Sequence, residues 1–265
     1  MDSYLDGGFR ETKTYLLAGR TGSGKTRISV GLLQHMDPAT PILYVSSEMD
    51  QEEIMALLVA HKVNYSCNDI ARGKDIQGSV AAYAKYYPNF LITTKQRVDG
   101  QKHASITVED VRATLTSVIA LGKHPKIVAV DYITHLDDPS FKDLKNARTM
   151  YGTMASALND IAEEFGVAML ILAQTNRSQI KGTEYEDTMV SESDKITHVV
   201  DATIGITKNT EIAAQIKLTI SKNRVGASGT INLCMDWQKN ELYEAEKHHT
   251  STTQAAFVQG GIGNA

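Results

Sequence analysis

The stretch Thr14-Tyr-Leu-Leu-Ala-Gly19-Arg20-Thr21-Gly22-Ser23-Gly24-Lys25-Thr26 decides how this chain is read. Tyr15 to Ala18 is an apolar run suited to a buried strand, and the residues that follow Thr26 have helical period. Between them, Gly19 to Thr26 fits GxxxxGK[ST], a pattern whose mechanism requires that strand-to-helix setting. Glycines at 19, 22 and 24 permit backbone conformations that aim successive N–H groups inward. The following helix contributes its positive N-terminal end. Gly19, Arg20, Thr21, Gly22, Ser23, Gly24, Lys25 and Thr26 therefore form a cradle for a triphosphate. Lys25 is expected to reach the β- and γ-phosphates, and the Thr26 hydroxyl to ligate Mg²⁺.

The rest of the chain is compatible with one large domain. It has 265 residues, 42% hydrophobic and 22% charged, which is enough apolar material for a real core and excludes a largely disordered chain. A net charge of −4 excludes a uniformly basic nucleic-acid coat and confines any such contact to a local patch. No apolar run approaches the roughly 20 residues that span a bilayer. The N-terminus, MDSYLDGGFRETK, is polar and unlike a secretory signal, so a cytoplasmic setting is expected. Cys67 and Cys234 form no framework and read as two reduced thiols.

Short Val/Ile/Leu-rich runs alternate with stretches of helical period, the pattern of an α/β fold with a parallel central sheet flanked by helices. Strands are expected at Thr14–Ala18, Ile42–Ser46, Phe90–Thr93, Lys126–Val130, Val167–Ala173, Ala202–Thr207 and Gln215–Ser221. Helices are expected near Lys25–His35, Gln51–His61, Thr107–Leu121 and Arg148–Phe165. Thr107, three residues before Asp110, suggests a capping box. In the last helix Tyr151, Met154, Leu158, Ile161 and Phe165 form one apolar stripe that docks on the sheet. Thr230 to Tyr243, with the single tryptophan Trp237, reads as an antiparallel hairpin closing one edge. The division is an N-terminal arm at 1–13, a core at 14–247 and a flexible C-terminal tail at 248–265.

Four further elements carry chemistry. Lys126-Ile-Val-Ala-Val-Asp131 is a buried strand ending in a carboxylate, aimed into the crevice where open α/β sheets bind ligands, so Asp131 is a candidate for holding the metal's water shell. Glu48, at the end of Ile42-Leu-Tyr-Val-Ser-Ser, can orient a water for in-line attack, whereas Asp50, Glu52 and Glu53 read as helix first-turn acids. Gln174, after Ala168-Met-Leu-Ile-Leu-Ala, is a neutral amide able to sense a γ-phosphate oxygen. Lys222 and Arg224 lie one residue apart on a strand running into a glycine turn, and face the same side. They read either as a solvated basic edge or as a finger reaching an adjacent subunit's triphosphate.

In this order the elements resemble the RecA-like core of the DnaB-type replicative helicases. YVSSEM at 44–49 is similar to that family's FSLEM-type segment, and Arg72-Gly73-Lys74 to its RxGK element. SITVEDVRA at 105–113 is similar to the helix before its acidic strand, IVAVDYI to IVIDYL, LAQTNR at 172–177 to LSQLNR, and KNRVGASGTINL at 222–233 to KQRNGPIGTV. The resemblance implies a RecA-like P-loop NTPase core that uses ATP and Mg²⁺. It makes Lys25 and Thr26 the nucleotide and metal contacts, Glu48 the catalytic base, Asp131 the metal acid, Gln174 the γ-phosphate sensor, and Lys222 with Arg224 a trans-acting piston and finger. It also implies a homo-oligomeric ring, usually hexameric, moving 5′ to 3′ on single-stranded DNA in a bacterial or phage-infected cell, with a primase or a helicase loader as partner. The family's usual N-terminal domain is expected to be missing from these 265 residues.

The DNA contact departs from the family pattern. Where the family carries an LRESG-type segment, this chain has Val190-Ser-Glu192-Ser193-Asp194-Lys195, and Thr175 to Lys195 holds three cations against five carboxylates. Candidate contacts there are Arg177, Lys181, Glu192 and Lys195, with backbone N–H groups assisting. The alternative patch is Lys142, Lys145 and Arg148. Two other functions compete with a helicase motor: a RecA/RadA-like recombinase forming filaments, and a regulatory RecA-fold ATPase with a protein partner.

Overall fold

The computed structural model describes residues 1–94, 106–136, 147–175, 194–209, 212 and 214–245. Among these residues the strands are β1 (Thr14–Arg20), β2 (Ile42–Ser46), β3 (Phe90–Thr94), β4 (Ile127–Asp131), β5 (Ala168–Thr175), β6 (Ala202–Lys208), β7 (Gln215–Asn223), β8 (Gly229–Asp236) and β9 (Glu241–Glu244). They form one sheet in the order β3-β2-β4-β5-β1-β6-β7-β8-β9. From β3 to β6 every pairing is parallel, and from β6 to β9 every pairing is antiparallel. The antiparallel part is wider than the expected hairpin, because β7 runs antiparallel to β6 and joins it.

The parallel strands are buried on both faces, which is why they are near-continuous apolar runs. Tyr15 and Leu17 of β1 enter one core and Leu16 and Ala18 the other. The first core takes helices α1 (Lys25–Leu33), α2 (Gln51–Val59), α3 (Cys67–Ala71) and α4 (Ile76–Tyr86) through residues such as Ile28, Leu57, Ile70 and Ala82. The second takes α5 (Val108–Ala120), α6 (Ala147–Phe165) and α7 (Asp194–Val199) through Leu115, Leu158 and Ile196. The stripe expected on α6 is there: Met154, Leu158 and Ile161 are fully buried. The antiparallel wing has one covered face, so β7 alternates, with Ile216, Leu218 and Ile220 inside.

Local signals set the helix starts. Thr107 and Asp110 form the expected capping box on α5, the Thr107 Oγ1 accepting from the Asp110 N–H at 3.0 Å and the Thr107 N–H donating to Asp110 Oδ2 at 2.8 Å. Asp50 and Glu53 do the same for α2, with Asp50 as its N-cap and Glu52 and Glu53 in its first turn. Helices α3, α4 and α7 have no counterpart in the periodicity of the sequence. Both cysteines are free and buried.

Residues 1–8 pack against the antiparallel wing. Leu5 is fully buried in the first core, and Tyr4 lies against the β7–β8 turn. No described helix is long and apolar enough to cross a membrane.

Candidate nucleotide-binding site

Register brings the chemically marked strand ends to one edge. Gly19 pairs with Gln174 of β5 and with Ile206 of β6, and Ser46 of β2 pairs with Asp131 of β4. These are the carboxyl ends of parallel strands, where a crevice opens.

The loop after β1 has the conformations its glycines allow. Gly22 has φ +75°, and Gly24, the N-cap of α1, has φ +84°. A Cβ at Gly24 would also stand 2.8 Å from the Trp237 ring, and one at Gly19 would stand 2.5 Å from Ser23 Oγ. No larger residue fits either place without displacing its neighbour. Lys25 is buried, and its Nζ donates to the carbonyls of Gly19 at 3.3 Å and Arg20 at 3.4 Å. Burial lowers its pKa, while the carboxylates of Asp131 and Glu48 act in the opposite direction.

Asp131 is fully buried, with Oδ2 accepting from the Tyr44 hydroxyl at 2.9 Å. Burial pushes its pKa up to about 6, against the hydroxyls of Thr26 and Tyr44, which favour the carboxylate. Among the described residues its Oδ1 is buried without a partner, and so is Ser23 Oγ in the phosphate loop. Unsatisfied buried oxygens are costly, and these two could accept or donate to a metal's water shell and a phosphate. The donor set of Thr26 hydroxyl and Asp131 carboxylate, both hard oxygens, fits Mg²⁺.

Glu48 stands two residues past the end of β2 and is exposed. The turn that carries it is tied down: Ser46 Oγ donates to the Met49 carbonyl at 2.8 Å, and Ser47 donates to the Asp131 carbonyl through both N–H and Oγ, at 2.7 and 2.9 Å. Gln174 Nε2 donates to Thr21 Oγ1 at 2.6 Å, linking the end of β5 to the tip of the loop.

Lys222 and Arg224 lie elsewhere. Asn223 pairs with Ala202 at the start of β6, whereas the phosphate loop lies beyond the other end of that strand. Ala202 to Lys208 spans β6, about 20 Å at roughly 3.3 Å per residue. Lys222 lies within the end of β7 and Arg224 follows the strand, so they are not both on it as expected. They still share a side: Lys222 Nζ donates to the carbonyls of Thr197 at 2.5 Å, His198 at 3.2 Å and Val200 at 2.6 Å, and an Arg224 guanidinium nitrogen donates to that of His198 at 3.4 Å. Cations beside the carbonyl end of α7 are favourably placed.

Of the candidate DNA contacts, Lys142, Lys145, Arg177, Lys181 and Glu192 lie outside the described residues, as does the Arg148 side chain. Lys195 is exposed at the start of α7 and donates to Thr149 Oγ1 at 2.8 Å.

Three contributors are not legible in the sequence. Tyr44 reaches Asp131 from inside β2, Tyr132 lies under the Lys25 ammonium at 5.7 Å from its ring centroid, and Trp237 covers Gly24. Lys208 completes the last, with Nζ 4.1 Å from the Trp237 ring centroid and 2.9 Å from the Gly22 carbonyl. An aromatic residue in a turn carries no signal of what it will cover.

This architecture recurs in known proteins. Replicative DNA helicase DnaB of Mycoplasma pneumoniae is 25% identical over 253 residues, 86% of this chain and 52% of that protein. The chain thus spans about half the length of that curated relative. Among solved structures, a DnaB-like replicative helicase studied with its interactions with primase superposes with a TM-score of 0.77 at 18% identity, over 91% of this chain and 60% of that one. A second solved structure, of an ATPase domain, superposes with a TM-score of 0.77 at 19% identity, over 92% of this chain and 88% of that one. These likenesses establish the RecA-like fold. The family described as DnaB-like helicase C terminal domain matches residues 1–244, and with nearly the whole described core inside that match, the chain belongs to it.

Proposed function

We propose that this protein is the ATP-driven motor of a replicative DNA helicase, a ring that moves along single-stranded DNA, 5′ to 3′, by hydrolysing ATP at its subunit interfaces. The observation that carries the nucleotide site is the pair of buried oxygens without a partner among the described residues, Ser23 Oγ and Asp131 Oδ1, beside a buried Lys25. Thr26 and Asp131 would hold Mg²⁺, which supplies charge neutralisation at the β- and γ-phosphate oxygens. Lys25 binds the same oxygens once it releases the Gly19 and Arg20 carbonyls. Glu48, exposed at the mouth, orients the attacking water and takes its proton. Gln174, which joins the loop through Thr21, senses the γ-phosphate.

Arg224 lies a strand's length from its own phosphate loop, so its guanidinium serves a neighbouring subunit's nucleotide. Such a finger supplies about three to five powers of ten in turnover. With Lys222 beside it, the Arg224 turn is the element through which hydrolysis in one subunit is felt by the next. DNA is gripped through its backbone by loops facing the ring's interior, and a primase or a helicase loader is the partner.

The test is ATP turnover with and without single-stranded DNA, with electron microscopy of the assembly. DNA-stimulated turnover by a closed ring is expected. An open helical filament would overturn the helicase reading in favour of a recombinase, and hydrolysis indifferent to DNA would favour a regulatory ATPase.

A further inference from the structure

The β7–β8 turn that carries Arg224 is gripped from two sides. On one side it hangs on the end of α7 and the connection to β6, where Lys222 donates to Thr197 and Val200 and the Arg224 N–H to the Asp201 carbonyl at 2.8 Å. On the other side it is held by one carbonyl near the N-terminus. Tyr4 O accepts from Asn223 Nδ2 at 2.7 Å and from the Ala227 N–H at 3.1 Å, and the same Asn223 amide donates to the Ala227 carbonyl at 2.7 Å.

Two glycines mark how close this contact is. A Cβ at Gly226 would stand 2.2 Å from Tyr4 O, and one at Gly229 would stand 2.2 Å from Tyr4 Cε1. Neither glycine has a left-handed backbone, so neither is required by its own φ. What forbids a side chain at both places is Tyr4. The segment is itself anchored, since Leu5 is fully buried and the N–H groups of Tyr4 and Leu5 donate to the Met1 carbonyl at 2.9 and 3.2 Å. The turn is therefore shaped around residue 4 rather than merely near it.

We propose that the Tyr4 main chain is a positioning element for Arg224, so that the seating of residues 1–5 sets whether the finger reaches the neighbouring subunit's nucleotide; this rests on the in-trans role argued above. Displacement of a reacting or charge-stabilising group by about 1 Å costs on the order of 100-fold in rate. A subunit with an unseated segment keeps its own phosphate loop, because that loop lies at the other end of β6, and loses only what it lends to its neighbour.

Gly226→Ala forces the Tyr4 carbonyl out of place. In the full chain the variant is expected to bind ATP within about 2-fold of wild type and to lose about 100-fold in kcat with KM for ATP little changed. Mixed with Lys25→Ala subunits, which have an intact finger and a dead loop, it should regain turnover, as Arg224→Ala should in the same mixture. Unchanged turnover, or recovery in mixtures with Arg224→Ala but none with Gly226→Ala, overturns the proposal. If Arg224→Ala itself fails to recover, the in-trans reading has failed and this inference falls with it. Should Gly226→Ala not fold, Gly229→Ala presses only on the Tyr4 ring, and adding Tyr4→Ala should restore kcat; a double variant as slow as the single one counts against the proposal.

Discussion

The Tyr44 hydroxyl donates to Asp131 Oδ2 at 2.9 Å from the adjacent strand, and Ser29 Oγ lies 2.8 Å from the same hydroxyl. All three groups are buried. Burial pushes the Tyr44 pKa well up, the Asp131 charge adding to it, so the phenol stays protonated and keeps donating. One carboxylate oxygen is thereby committed to the protein, while Oδ1 has no partner among the described residues.

Tyr44→Phe should remove that commitment. It leaves a buried carboxylate oxygen short of a donor, a cost of about 1–3 kcal/mol in stability, which urea denaturation would read. ATP turnover should then need more Mg²⁺ for half-saturation, because Asp131 is no longer held in one orientation; an unchanged Mg²⁺ requirement would show that Tyr44 is only a core residue.

Lys25→Ala should abolish nucleotide binding while leaving the fold intact. Lys25 packs over Tyr132 and bonds to the Gly19 and Arg20 carbonyls, so its removal deletes the phosphate contact together with two loop hydrogen bonds and no backbone pairing of the sheet. Calorimetry with ATP would check this, and retained affinity would refute the loop assignment.

Gly24→Ala meets two obstacles, φ +84° and the Trp237 ring at 2.8 Å. The left-handed backbone alone costs about 1–3 kcal/mol for a non-glycine residue. Loss of ATP binding is expected, and Trp237→Ala in the same chain should recover only the steric part. Full recovery would mean the backbone at 24 is not under the constraint described.

His61 gives a pH-dependent prediction. Burial, with the Lys62 charge adding to it, lowers its pKa to about 4, and its Nε2 lies 3.0 Å from the Tyr87 hydroxyl, consistent with a neutral ring accepting from a phenol. The unfolded chain takes up a proton near pH 6.5 and the folded one only near 4. This residue therefore costs nothing above pH 6.5 and destabilises progressively as pH falls toward 4. His61→Gln should flatten that part of the stability profile; an identical acid profile in the variant would place the proton elsewhere.

Much of the site is legible in the sequence because its parts are local. GxxxxGKT between a strand and a helix needs only backbone conformations and a short reach, so residues 19–26 announce themselves. Asp131 and Gln174 are legible as polar ends of apolar runs, at the carboxyl ends of parallel strands where a crevice opens. Helices α3 and α4 are not, because short or weakly amphipathic stretches gain their stability from packing against α2 rather than from their own period.

By itself, the sequence determined the alternation of strands and helices, the glycine-rich turn between β1 and α1 and the acids that cap helices, all set within a few residues along the chain. Only the tertiary structure decided that Tyr44 would hold Asp131, that Trp237 would close over Gly24, and that Tyr4 would grip the turn of Arg224. Those partners are far apart along the chain, 87 residues in the first pair and 219 between Tyr4 and Asn223 of that turn. The physical reason is that sheet register sets the first pair, and the packing of the N-terminal segment and the β8–β9 turn sets the others, all of it settled when the apolar faces of the sheet are buried.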